Sequence, residues 1–143
     1  MRAVKHRADQ MTPLERAEAI AAGRDYDRVP CVPFMGELKC SLARITVWDF
    51  WHDPQKMADA EVIAFNRYGY DRITIGPNTR GITEALGGRF VYPEKGLPYA
   101  DAPFLKSYDQ LDDIDPIDAK KNPRIQTFAK EADILQKEAA DIV

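Results

Sequence analysis

A chain of 143 residues, 45 % hydrophobic and 30 % charged, has the composition of an ordinary globular protein and excludes a disordered or low-complexity one. Its net charge of −3, with Lys and Arg scattered among Asp and Glu, offers no basic face for nucleic acid. No run approaches the ~20 apolar residues of a membrane span, and the start lacks a secretory core, so the cytoplasm is the expected compartment.

Residues 1–11 are polar and basic and are expected to form a flexible arm. Thr12, Pro13 and Glu15 then make a capping box, predicting a helix over 13–22 that Gly23 stops. "VPCVPFM", from Val29 to Met35, is too short for a helix and is expected to be a buried strand despite Pro30 and Pro33. "GELKCSLARITVWDFWH" fits either a short helix or a packed loop. Asp53 and Pro54 restart a helix in which Met57, Ala58, Val62, Phe65 and Tyr68 share a stripe before Gly69. A strand over Arg72–Ile75 would complete a βαβ unit with a parallel sheet.

Downstream, the extended pieces around Glu94-Lys95-Gly96 predict a hairpin. Ser107 and Gln110 predict a short helix, and Asn122-Pro123 opens a long one. Its apolar stripe runs through Ile125, Phe128, Ala129, Ala132, Leu135, Ala139 and Ile142. Two parallel strands cannot close a sheet, so the chain is expected either to add the hairpin to that sheet or to be part of something larger.

The segments "MTPLERAEAIAAGRDYDRVPCVPFM" and "YDRITIGPNTRGITEALGGRFVYPEKGLPYADAPFLKSYDQLDDID" resemble the N-terminal part of the uroporphyrinogen decarboxylase superfamily, from about Thr12 onward. The resemblance implies an α/β chain forming the N-terminal portion of a TIM (β/α)₈ barrel with a β-hairpin insertion, residues 12–143 being an incomplete domain. Uroporphyrinogen decarboxylases hold substrate carboxylates with two arginines after the first strand and pyrrole nitrogens with an aspartate after the second. Here Met35 and Lys39 stand at the arginine positions and Asn78 at the aspartate position. Met35 offers no charge, Lys39 only a point charge, and Asn78 cannot stabilise a developing cation as a carboxylate would.

The resemblance therefore implies the superfamily's other activity, transfer of a methyl group from a methylated corrinoid protein to a thiol such as coenzyme M or to a pterin, with decarboxylation as the alternative. In its thiol-using members a zinc ion activates the thiol, held by later strands. No cofactor is expected on this segment itself, which by itself is expected to be inactive. A non-catalytic half-barrel that pairs with itself or with a partner chain is the reading from another class.

Glu37, Lys39, Asn78, Thr79 and Arg80, which follow the two expected strands, are the candidate substrate-binding residues. Against this, Asn78 serves equally as a helix cap, and Glu37 with Lys39 as a solvated loop pair. Cys31, Cys40 and His52 match no zinc spacing and are read as two reduced thiols and a histidine rather than a metal site. Trp48, Phe50 and Trp51 are read as packing residues before a planar-ligand platform. No catalytic residue is assigned.

Overall fold

A computed structural model describes every residue except Gly76, Pro77, Glu94, Lys95, Asp141 and Val143. Capping chemistry sets the helices. Thr12 Oγ1 accepts from Glu15 N while the Glu15 carboxylate accepts from Thr12 N, starting α1 (Pro13–Ala21), one residue shorter than expected. The ambiguous segment resolves into two short helices, α2 (Leu38–Ala43) and α3 (Val47–His52). Arg44 ends α2 in the left-handed conformation, and Thr46 caps α3 by accepting from Asp49 N at 3.0 Å.

Asp53 ends α3 and caps α4 (Pro54–Tyr68), its carboxylate accepting from Gln55 N and Lys56 N. Asn78 caps α5 (Thr79–Ala85), and Asn122 caps α6 (Pro123–Ala139). The Asn122 amide also donates to Ala85 O at 2.9 Å, tying the start of α6 to the end of α5. Ser107 and Gln110 open not an α-helix but a 3₁₀ helix, Tyr108–Asp113.

The single described sheet pairs β1 (Phe90–Val91) with β2 (Tyr99–Ala100), antiparallel, with Phe90 opposite Ala100. The Glu94-Lys95 part of the expected turn lies outside the described residues. Segments 29–35 and 72–75, expected as parallel strands of a barrel, form no ladder among the described residues. Beside them, Asp71 N donates to Cys31 O at 2.8 Å, a contact that no ladder extends. Pro30 and Pro33 remove two of the donors a ladder would use, and a pair of strands with no third neighbour is marginal in water. Nor is 29–35 buried: Val29 and Val32 are exposed and Phe34 is 100 % exposed.

The core is organised by α4, which packs against α6, α2 and α3. One side buries Ala58, Val62 and Phe65 with Tyr70, Leu135 and Ala139. The other buries Met57 and Ala60 with Cys40, Phe50, Trp51 and Phe128. Two stripe assignments change: Tyr68 and Ala129 are exposed, and Glu61 and Glu131 face inward with the apolar residues.

Residues 1–11 are not a loose arm. Ala3 lies in the first core cluster and donates to Glu138 O at 2.9 Å, and Val4 N donates to Asn66 Oδ1 at 2.9 Å. The arm holds because these backbone groups find acceptors on α4 and α6. Gly69, left-handed at φ +63, lies directly beneath it, and a β-carbon there would sit 2.7 Å from the His6 side chain. Gly69→Ala is expected to lower the unfolding free energy by about 1–2 kcal/mol, from the left-handed backbone plus displacement of the arm, as measured by urea denaturation. An unchanged midpoint would mean that the arm does not pack on Gly69.

A buried ionic knot locks the arm to the segments before and after α4. The Arg16 guanidinium, fully buried, reaches Asp27 at 2.7 Å, Asp9 at 3.2 Å and also Asp71. Arg28 pairs with Asp9 at 2.7 Å and Asp71 at 2.6 Å. Two guanidinium groups face three carboxylates, and backbone N–H groups supply the remainder: Gln10 and Met11 donate to Asp27, Cys31 to Asp71.

Candidate functional site

A cavity of about 310 Å³ opens where segments 29–35 and 72–75 approach α2, α4 and α6. That volume lies at the small end of ligand pockets. Its apolar wall is formed by Phe34, Met35, Phe50, Trp51 and Met57. Its polar groups are Lys39, Glu61, Tyr70, Arg72, Thr74, Asn78, Arg80 and Glu131.

Trp51 is held firmly. Its indole Nε1 donates to Glu37 Oε1 at 3.3 Å, its carbonyl accepts from Arg124, and the Arg80 and Arg124 guanidinium groups lie over its ring at 5.1 and 5.7 Å. Arg124 is itself anchored by Glu84 at 2.7 Å. Glu37 also takes an ion pair from Arg80, so residues from two distant parts of the sequence meet on one tryptophan.

At the floor, Lys39 from α2 is ion-paired with Glu61 from α4, both buried. Its ammonium sits 5.8 Å from the Phe50 ring centre. Glu131 from α6 is 1 % exposed, and its Oε2 has no hydrogen-bond partner among the described residues, nor has Glu61 Oε2. Burial, then the neighbouring Glu61, push the Glu131 carboxyl up to about 8, and burial raises Glu61 also. One ammonium cannot neutralise two buried carboxylates, so near neutral pH the floor retains a proton on Glu131.

Of the five residues picked from the sequence, Lys39, Asn78 and Arg80 line the cavity, and Glu37 joins them through Arg80 and Trp51. Thr79 does not line it. It is exposed on α5, where its carbonyl accepts from Thr83 Oγ1. The Asn78 oxygen is spent on the helix, accepting from Arg80 N and Gly81 N at 3.0 and 3.2 Å. Gly76 and Pro77 of the same loop lie outside the described residues.

Sequence reasoning missed Glu61, Glu131, Arg72 and Tyr70. The signal for the first two was present. Glu61 stands four residues after Met57 and four before Phe65, and Glu131 three after Phe128 and four before Leu135, so each occupies an apolar stripe.

The residues weighed for zinc go elsewhere. Cys40 is in the core, with burial raising its thiol to about 11, whereas Cys31 is exposed. His52 stacks on Trp48 at 3.6 Å between ring centres, and its Nδ1 lies 2.8 Å from the Trp48 carbonyl oxygen. Among the described residues no three His, Cys, Asp or Glu side chains are grouped to hold a metal. Nor is any described helix long and apolar enough to cross a membrane.

Compared with known proteins, the chain matches the family model described as uroporphyrinogen decarboxylase (URO-D) over residues 12–143. No curated protein and no solved structure matches it. The match spans every element from the Thr12 cap to α6, including the whole cavity. The chain belongs to the uroporphyrinogen decarboxylase family.

Proposed function

We propose that this chain is part of a methyltransferase that moves a methyl group from a methylated corrinoid protein to a thiol or pterin acceptor, in preference to a uroporphyrinogen decarboxylase. The observation that carries the reading is the engagement of Lys39 with Glu61. Where a decarboxylase would present an arginine fork to a substrate carboxylate, this cavity has an ammonium already neutralised at its floor.

The companion position holds Met35, whose thioether lines the wall, and the third holds Asn78, whose oxygen is committed to capping α5. Arg80 is likewise engaged by Glu37. Arg72, exposed at the mouth, is the one lining cation without an ion pair among the described residues, enough for one acidic group but not for a polycarboxylate. A cavity of about 310 Å³ whose cations are mostly engaged by its own carboxylates suits a small acceptor better.

The described residues do not fit the zinc of thiol-using members: one cysteine is buried with its thiol raised, the other exposed, and the histidine is stacked on an indole. What they contribute is a shaped pocket with a positioned tryptophan.

Binding tests this reading directly. Calorimetric titration is expected to show that 2-mercaptoethanesulfonate binds and that uroporphyrin does not compete for the same cavity. Tighter binding of uroporphyrin, lost on Lys39→Ala, would overturn the proposal in favour of decarboxylation. The half-barrel reading draws support from exposed Val29, Val32 and Phe34, and predicts a light-scattering mass above 16.2 kDa.

A further inference from the structure

The floor of the cavity has an imbalance that the wall does not explain. Two carboxylates, Glu61 and Glu131, are 2 % and 1 % exposed, and each has an Oε2 with no hydrogen-bond partner among the described residues while its residue lines open space. A single cation, Lys39, lies among them and is paired with Glu61. Buried carboxylate oxygens without donors are costly, and natural structures rarely leave them so. A ligand that brings donors and one positive charge would satisfy both.

We propose that this floor is a binding site for a small organic cation, a primary alkylammonium group seated between Glu61 and Glu131. An ammonium has three donors, and a side-chain rotation that turns the two oxygens, each closed to solvent, toward the cavity would put both within its reach. The alkyl chain would lie against Phe50, Trp51 and Met57, and Phe50 already carries the Lys39 ammonium near its face. A carboxylate ligand would be repelled at the same place. The inference does not depend on the methyl-transfer reading, because it concerns which charge the floor accepts and not which reaction follows.

The resident competitor is a proton. Glu131 is faced by Glu61 from α4 and Lys39 from α2, with Tyr70, Arg72 and Arg80 on the same cavity. When an ammonium enters, Glu131 gives up its proton to solvent and the floor holds two carboxylates with two cations. Binding is therefore expected to release a proton and to strengthen from about pH 6 to about pH 8.

The experiment titrates the chain at about pH 8 with n-butylammonium and, separately, with n-butanol, in two buffers of different ionisation heat. Butylammonium is expected to bind about tenfold or more tighter than the alcohol, with a buffer-dependent heat reporting proton release, and Glu131→Gln is expected to weaken it by about tenfold, a charged hydrogen bond being worth at least that factor. The glutamine side chain keeps the shape of the protonated glutamate, and circular dichroism checks the variant's fold. Equal affinity for alcohol and amine, no binding of either, or the same heat in both buffers would each overturn the proposal, with or without the variant.

Discussion

Arg16→Met is expected to lower the unfolding free energy at pH 7 by about 4 kcal/mol, the usual consequence of removing one partner from a buried ionic cluster. Methionine fills most of the volume, so the loss is electrostatic: Asp9, Asp27 and Asp71 remain with Arg28 as their sole cation among the described ion pairs. Such a loss is a large fraction of an ordinary domain's ~5–15 kcal/mol.

A pH series separates this cause from packing. Hydrogen bonding to Arg28 holds the Asp9 carboxyl below its ordinary range, and hydrogen bonding to Arg16 does the same, more strongly, for Asp27. A carboxyl depressed in the folded state stabilises the fold above its unfolded pKa of about 4, and that contribution disappears as pH falls through the folded value. The wild type should therefore lose stability below about pH 4, where Arg16→Met has less left to lose. Urea midpoints for the two proteins should converge toward acid. A constant gap from about pH 7 to about pH 3 would assign the effect to shape.

Glu131→Gln is expected to act in the opposite pH direction. With its carboxyl raised from an ordinary 4.5 to about 8, the folded state holds the proton more tightly than the unfolded chain does. That stabilisation is fully present below pH 4.5 and is lost as pH rises through about 8. The wild type should fall in stability by on the order of 5 kcal/mol across this span, since each pKa unit is worth about 1.4 kcal/mol. The glutamine variant keeps a neutral side chain at every pH, so it should overtake the wild type in alkaline urea melts. Parallel curves from about pH 5 to about pH 9 would show that Glu131 ionises freely in the fold.

The helix starts were written locally, which is why they were legible. Thr12, Asp53 and Asn122 each satisfy N–H groups two or three residues away, and each stands before a proline. Segments 29–35 and 72–75 form no ladder among the described residues for the complementary reason. Valine and isoleucine make a segment suited to a sheet, but a ladder is a property of two segments, and the sequence does not say which donors will meet.

The same division runs through the site. Lys39 and Arg80 could be chosen because they follow the expected strands, yet nothing local shows that Lys39 would meet Glu61 across 22 residues, or Arg80 Glu37 across 43. The inward glutamates stand as charges on apolar stripes, and a helix face tolerates one such misfit without losing its pattern. The knot of Arg16, Arg28 and three aspartates gave no local signal, because its members come from four separate stretches.

The prolines that deprive segment 29–35 of a ladder have a second effect. Val29, Val32 and Phe34 form an exposed apolar stretch of the sort that adds copy upon copy in fibrils, and Cys31 lies within it. Cross-β growth requires every residue to donate to the layer above, and Pro30 and Pro33 interrupt that chain of donors at two places in one short segment. They act as gatekeepers: the surface can stick to a complementary face, but it cannot template an endless sheet of itself.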